Sequence, residues 1–343
     1  MDGIKNTTPQ RSGSAANPQV LYSIIYALAA QSGREAALFG TCGPAAQEAF
    51  EHSMPTDAFP ELWFEIPLAG KPWMDFHALT ARDDLDSAKP FTPETTGGNP
   101  DAFAWFAAQQ NKVRQLALSW DTSSGSASNP AVQLLVSSPA PKTTCEFLKA
   151  VGRSDAVPAY RAFFDRLPKD WFACYTGVFP QRPGHNLRVE CIPSAELQQA
   201  YAHDANLLQE HLRQVGLSEL GETIAPRCQT LANTPFQLEF QFDVDEDGFA
   251  GPTFSASVRF SRPSESPEKA YNPNGAAGEL MRKLVSWGLV DERWQLLADT
   301  MFAKRFTRQS ESAILYCFPT FVKLRWRNGN PLDAKAYLMA GMQ

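Results

Sequence analysis

Five times along the chain, two short segments of alternating apolar and polar residues flank a turn rich in Gly, Pro, Asn, Asp or Ser. The pairs lie at 61–81, 115–138, 171–193, 236–261 and 314–340. Turns this short make each pair an antiparallel hairpin. Helical sequence separates the pairs: 19–31 and 44–52, then 101–112, 143–152 with 157–167, 194–215 with 218–231, and 274–288 with 291–306. Ser194, Ser218 and Asn274 stand where helix N-caps belong. The order is helix–helix–strand–strand, repeated, with the second repeat short of one helix. About ten antiparallel strands with helices between every pair have one economical arrangement: the strands close into a barrel and the helices ring it. The expected fold class is therefore α+β, a closed antiparallel barrel of about ten strands surrounded by helices. Residues 1–16, rich in Ser, Thr, Asn and Gly, read as a disordered tail, and 17–343 as a single barrel domain. The competing organisation is two α+β domains split near 139–143, although no composition break marks that point.

Composition narrows the function classes. The formal charge of −6 over 343 residues argues against a broad nucleic-acid-binding surface, so any basic site must be local. No run of ~18 apolar residues is present to span a membrane as a helix. The apolar stretch 20–30 lacks a basic leader and carries Tyr22, Ser23 and Tyr26, so it reads as a helix of the fold. The cysteines Cys42, Cys145, Cys174, Cys191, Cys228 and Cys317 form no CxxC pair and are widely scattered, which predicts reduced thiols in a cytoplasmic protein and no zinc site. Nucleotide-binding glycine loops, HExxH and GxSxG are absent.

In a helix-ringed barrel the outward strand face is apolar and the inward face shows what the lumen is for. Phe236, Leu238, Phe240, Phe242 and Val244 alternate with Gln237, Glu239, Gln241 and Asp243. On the partner strand, Phe254, Ala256, Val258 and Phe260 alternate with Ser255, Ser257, Arg259 and Ser261. A half-exposed sheet with its polar face in water shows the same pattern. The last hairpin adds Lys323, Arg325 and Arg327 on one face, and Lys335, Tyr337 and Met339 on the next strand. Like charges so placed repel unless an anion lies between them, which suggests a phosphate or diphosphate pocket; a solvated basic patch is the alternative. In the first hairpin Trp63, Glu65 and Pro67 share a face, and Trp73, Asp75 and His77 share one on its partner. A carboxylate among tryptophans is a candidate general base with a raised pKa, or else a plain ion pair with Lys71 or an arginine. Arg188 and Glu190 share a third face. The Asp243–Asp247 turn and the histidines His52, His185, His203 and His211 read as structural. The apolar stripe Trp287, Leu289, Trp294, Leu297 and Phe302 reads as helix packing, and Lys304 and Arg305 as charges at that helix's C-terminus.

This succession of elements resembles the ABBA, or PT-barrel, aromatic prenyltransferases, over roughly residues 17–341. Glu65 within Phe64-Glu65-Ile66-Pro67-Leu68 is similar to the acid that dimethylallyltryptophan synthases carry on their first barrel strand, where it accepts the indole N–H. Lys335 and Tyr337 are similar to the family's Lys-x-Tyr pairs, and Arg188, Arg259, Lys323 and Arg325 match its basic lumen positions. Two places depart from the pattern: Gln133 and Ser137 stand where a Lys-x-Tyr is expected, and Ser261 and Pro263 follow Arg259. The resemblance implies prenyl transfer from a dimethylallyl or geranyl diphosphate to an indole, tryptophan or other aromatic acceptor, with a peptide side chain as the alternative. Glu65, Asp75 and His77 would do the acid–base work. Arg188, Arg259, Lys323, Arg325, Lys335 and Tyr337 would hold the diphosphate, and Tyr175, Trp63, Glu239 and Gln241 would line the cation and acceptor pocket. No cofactor is required, with Mg²⁺ an option, and neither nucleic acid nor membrane is a partner. A non-catalytic barrel for an anionic aromatic ligand is the rival reading of the same lumen.

Overall fold

The computed structural model describes residues 23, 26, 29, 33–38, 60–85, 90–93, 96–109, 113–121, 130–180, 187–217, 224–260, 271–308 and 311–342. The expected helix at 44–52, the Ser218 cap, Cys42, His52 and His185 lie outside them. Among the described residues eleven strands make one sheet: β1 Glu61–Pro67, β2 Asp75–Thr80, β3 Val113–Trp120, β4 Ala131–Val136, β5 Trp171–Val178, β6 Leu187–Pro193, β7 Gln237–Val244, β8 Ala250–Arg259, β9 Phe302–Arg308, β10 Glu311–Arg327 and β11 Asn330–Met342. Every pairing is antiparallel, and the order runs β11, β1 through β8, then β10. Pairing of β10 with β11 closes the ring, so ten strands form the barrel. Strands β4 and β5 pair from Val132↔Val178 to Leu135↔Tyr175. The sheet therefore runs unbroken across 139–143.

The described helices are α1 Glu35–Leu38, α2 Pro100–Ala107, α3 Pro141–Ala150, α4 Val157–Asp165, α5 Ala195–His203, α6 Ala205–Gln214, α7 Ile224–Ala232 and α8 Ala276–Ser286. They pack on the outer strand face. Trp171 stacks on Phe240 and Phe242, and its indole N–H donates to Tyr201 of α5. Both faces of β7 are buried: Leu238, Phe240 and Phe242 outward, Glu239, Gln241 and Asp243 inward. Burial of both faces excludes the half-exposed sheet. Each outward aromatic removed from water contributes roughly 1.5–3 kcal/mol. Polar residues opposite them are tolerated because they hydrogen-bond one another.

Three expected elements differ. The helix at 194–215 is two, because Asp204 ends α5 and then caps α6 by accepting from the Asn206 and Leu207 amides. Ser194 caps α5 as expected, through the Leu197 amide. The cap of α8 is Gly275, not Asn274. The third difference is larger. Residues 291–306 begin as a 3-10 helix, Glu292–Thr300, but Phe302–Arg308 is strand β9. Strand β10 outruns β8 at its N-terminal end, and β9 fills the backbone edge left open there, from Glu311↔Arg308 to Cys317↔Phe302. Unpaired ladder groups on β10 outweigh the helical spacing of the sequence. Trp294, Leu297 and Leu289 are buried as expected, whereas Lys304 and Arg305 belong to a strand rather than a helix end.

The tight turn Asn328–Gly329, both at positive φ, joins β10 to β11. The acidic turn after β7 caps itself, with Asp245 accepting from the Asp247 and Phe249 amides. Among the described residues five cysteines are free, and no helix is long and apolar enough to cross a membrane.

Candidate active site

Strand register brings the predicted residues to one lumen. Glu65 of β1 lies opposite Asp75 on one side and Tyr337 on the other, and Trp63 lies opposite His77. Lys323 faces Lys335 across β10 and β11, and Arg325 faces Asp333. Arg188 lies opposite Asp243, Glu190 opposite Gln241 and Tyr175, and Arg259 opposite Phe321. Directly opposed residues share a sheet face, so closure gathers on one surface what the sequence spreads over 270 residues.

At the centre lies Glu65, 8% exposed. Its two oxygens accept from the Lys335 ammonium and the Tyr337 hydroxyl. Burial pushes the Glu65 carboxyl up, but Lys335, His77 and Lys323 outweigh that and hold it well below the usual carboxylate range. The expectation of a raised pKa is corrected here. The tryptophans desolvate Glu65 as foreseen, but the cations opposite it decide the sign. The expected partners Lys71 or an arginine are replaced by Lys335, whose ammonium also sits 4.1 Å over the Trp73 ring. Tyr337 lies in contact with both Glu65 and Lys323, and burial with the Glu65 charge raises its hydroxyl well above the ordinary tyrosine value.

From Tyr337 a hydrogen-bonded chain crosses the lumen. The Lys323 ammonium donates to Tyr337 and to Gln241 Oε1 at 3.2 Å, and Gln241 Nε2 donates to Glu190 Oε2 at 3.0 Å. Glu190 and Glu239 share a hydrogen bond, and burial with the Glu239 charge pushes Glu190 up to about 8. Arg259 closes the chain with two bonds to Glu239, at 2.7 and 3.2 Å. Burial brings Lys323 down to about 8, against the pull of Glu65 and Glu190. Arg188 donates to Asp243 at 2.7 Å, and Arg325 makes a two-armed pair with Asp333. Acids and cations therefore interleave rather than forming one acidic and one basic region.

A branch leaves Glu65 on the other side. His77 Nε2 lies 3.6 Å from Glu65 Oε2 and, among the described residues, has no hydrogen-bond partner. His77 Nδ1 bonds Ser119 Oγ, which also accepts from Gln133 Nε2. With a Gln133 N–H on its oxygen, the Ser119 hydroxyl has its own proton to offer Nδ1, and in that arrangement the imidazole proton sits on Nε2, toward Glu65. The departure at Gln133 thus has a local use.

The lumen walls are aromatic. Phe321 stacks on Tyr337 at 4.0 Å between ring centroids and lies 5.3 Å from Trp63, and Arg259 lies over both Phe321 and Trp63. Arg188 lies 4.6 Å over Phe179. A bulge decides one part of this wall. Pro319 has no N–H for the ladder, the register slips between Pro319 and Phe321, and the Thr320 hydroxyl donates to the Tyr337 carbonyl. Uninterrupted alternation from Arg325 would turn Cys317 inward. After the slip it is Tyr316 and Phe318 that cluster with Met339 and Trp63. Phe321, Phe318, Tyr316, Ser119 and Asp333 are thus lumen residues missed by the sequence reading. Phe321 alone was recoverable, by carrying the alternation of Lys323 and Arg325 one step further. A second slip, between Ala173 and Tyr175, sets Tyr175 beside Glu190 and Gly177 opposite Arg188.

The fold is that of the PT barrel. In its apo form the prenyltransferase PriB is similar to this chain with a TM-score of 0.50 at 13% identity, over 95% of this chain and 96% of that one. The binary complex of PriB with product diphosphate gives the same values. A 6-dimethylallyltryptophan synthase from Micromonospora olivasterospora, in complex with DMASPP and Trp, is similar at 12% identity and a TM-score of 0.49, over 95% and 97% of the two chains. No protein-family model matches the chain, and no curated protein matches it. The resemblance in element order is thus met by a three-dimensional likeness in fold.

Proposed function

We propose that this protein is an aromatic prenyltransferase that moves an allylic group from a prenyl diphosphate to an indole, with tryptophan the first candidate acceptor. The observation that carries the reading is the buried contact of Glu65 with Lys335 and Tyr337, beside Lys323 and under the Phe321 ring. It puts a base, cations for a leaving anion and aromatic faces for a carbocation within a few side chains of one another. A lumen that excludes water strengthens each of these interactions and keeps water from capturing the cation. PriB, of the same fold, has been solved with product diphosphate, which supports reading this protein as a diphosphate binder.

In the proposed reaction the allylic C–O bond breaks and its electron pair leaves on the diphosphate. Lys335, Lys323, Tyr337, Arg188, Arg259 and Arg325 offset the charge that develops there. Tyr337 and Phe321, with Trp63 and Tyr175, face the allyl cation. A ring carbon of the acceptor attacks the allylic carbon, and the ring then loses a proton to recover its aromaticity. Glu65 accepts a hydrogen bond from the acceptor N–H as positive charge builds on the ring, His77 orients Glu65, and the proton on the attacked ring carbon passes to the carboxylate pair of Glu65 and Asp75, which restores the aromatic ring. Glu239 and Gln241 hold Arg259 and Lys323 in place. Among the described residues no group of three His, Cys, Asp or Glu is placed to hold a metal ion by protein ligands alone, and no step of the proposed reaction passes through Mg²⁺.

A mass-spectrometric turnover screen tests the reading. Dimethylallyl, geranyl and farnesyl diphosphates would be offered against tryptophan, tyrosine, small indoles and phenols, and tryptophan-containing peptides, with and without Mg²⁺. The expected product is tryptophan or an indole heavier by one prenyl unit. Failure of every pair, with pyrophosphate binding retained, would replace the enzyme by an anion-binding barrel.

A further inference from the structure

Lys335 and Glu65 hold tasks that obstruct each other. Lys335 is to receive the diphosphate, yet its ammonium is engaged by the Glu65 carboxylate. Tyr337 is to face the same donor, yet its one hydroxyl proton is given to the other Glu65 oxygen. Glu65 is to accept a proton from the acceptor, yet both of its oxygens are occupied. Arg259 and Arg325 are in a different position. Each grips its acid through Nε and one terminal nitrogen, so the remaining terminal N–H groups can bond a phosphate oxygen with the acid still in place. Nor can Lys335 simply add a diphosphate beside Glu65, because two anions on one buried ammonium repel strongly where the dielectric is low.

One feature of the lumen offers the displaced carboxylate a second place. His77 Nε2 is buried, has no hydrogen-bond partner among the described residues and stands 3.6 Å from Glu65 Oε2. The Ser119–Gln133 pair engages Nδ1 and so holds the ring with Nε2 facing Glu65. A small rotation of Glu65 away from Lys335 closes that gap.

We infer that Glu65 is an internal stand-in for the donor's diphosphate: it occupies Lys335 and Tyr337 in the ligand-free lumen, and the arriving diphosphate drives it onto His77, where it becomes a free base. The inference rests on the proposed reading of this lumen as a prenyl diphosphate site. It makes binding ordered, donor before acceptor, because the acceptor N–H meets an available carboxylate oxygen only after the exchange. It also protects the reaction. Without donor the base is neutralised by its ion pair, and with donor the same ammonium that binds the leaving group has released the base.

The test is calorimetric titration of the full chain with inorganic pyrophosphate, without acceptor. Glu65→Gln keeps the shape and an oxygen for Lys335 but removes the competing charge. The expected result is pyrophosphate binding about tenfold tighter than wild type, a difference of about 1.4 kcal/mol. Lys335→Met binds more weakly than wild type, and the gain from adding Glu65→Gln to it is at least about threefold smaller than the gain in wild type, because the larger share of the competition acts through Lys335 and only the Tyr337 share remains. The double variant removes the buried pair whole, which guards against an unpaired charge unfolding the protein. Pyrophosphate-dependent shifts in Tm report the same affinities if the apo single variants are marginal. Equal affinity in wild type and Glu65→Gln overturns the stand-in while leaving the diphosphate site intact. A gain of undiminished size in the Lys335→Met background also overturns it, since the effect would then be general charge relief. No binding by any variant overturns the diphosphate site and the inference with it.

Discussion

Lys335→Met separates the charge of Glu65 from its burial. Lys335 is 3% exposed and Glu65 8%, so water screens the pair little. Removing one partner of a buried pair costs about 3–5 kcal/mol, most of it from the charge left behind. In wild type the Glu65 carboxyl lies well below its usual range, because Lys335, His77 and Lys323 outweigh burial. A depressed carboxylate contributes stability that is present above its unfolded pKa and is lost as pH falls through the folded pKa. In the variant burial is the largest remaining influence, and the folded pKa moves above the unfolded one. The sign then reverses: the buried charge destabilises at high pH and the penalty fades as pH falls and the carboxyl takes up a proton. The gap between wild type and variant is therefore widest, about 3–5 kcal/mol, near pH 8. It narrows toward pH 4.5 by roughly 1.4 kcal/mol for each unit by which the variant's Glu65 exceeds its unfolded value. Urea unfolding of both proteins at half-unit steps from pH 4.5 to 8 measures it. A gap that stays constant with pH refutes the reasoning, since Lys335 would then contribute packing rather than charge. A gap below about 1 kcal/mol at every pH refutes it differently, by showing a pair that behaves as solvent-screened.

Glu190 runs the other way. Its folded pKa is pushed up to about 8 by burial and by Glu239, so the folded state keeps a proton that the unfolded state gives up, and wild-type stability declines as pH rises from about 4.5 to 8. Glu190→Gln lacks that decline and gains on wild type by on the order of 2 kcal/mol between pH 5 and pH 8.5, read from thermal unfolding in matched buffers. At Gly177 an added Cβ would lie 2.8 Å from Phe179 Cε2 and 3.0 Å from the Tyr175 hydroxyl. Gly177→Ala is expected to destabilise by about 1–3 kcal/mol and to narrow the lumen. Its ratio of kcat/KM for geranyl over dimethylallyl diphosphate should fall at least about fivefold, and an unchanged ratio would place the prenyl chain elsewhere.

The interleaving of charge explains how a lumen this polar coexists with a folded barrel. Five cations turned into one buried space would repel one another, but Arg188, Arg259, Arg325 and Lys335 each face an acid, and Lys323 sits between Tyr337 and Gln241. Each partner that lowers the cost of burial also competes with an incoming anion. In the proposed reaction, donor affinity would therefore depend on which acids can step aside, and Glu65 is the one with His77 beside it.

The hairpins were legible in the sequence because a strand with one apolar and one polar face, ended by a Gly, Pro, Asn or Asp turn, has few other ways to bury its apolar side. Alternation also named the lumen residues Glu65, His77, Glu239, Gln241, Arg259, Lys323, Lys335 and Tyr337, since residues two apart share a face wherever the strand is regular. It failed where the backbone broke period. The slip at Pro319 turned Tyr316 and Phe318 inward, and a slip of one residue is invisible to a rule that counts in twos. It failed again at β9, where Trp294 and Leu297 carry helical spacing but an open edge of β10 recruited the residues that follow. Above all, local sequence carries no information on which acid meets which cation. Glu65 and Lys335 stand 270 residues apart, and only closure of β11 onto β1 brings them together. The sequence by itself determined which side chains face inward wherever a strand keeps its regular period. The tertiary structure decided their pairing, and with it the sign of the pKa shift at Glu65, because a pKa responds to neighbours a few ångströms away and those neighbours exist only once the ring is closed.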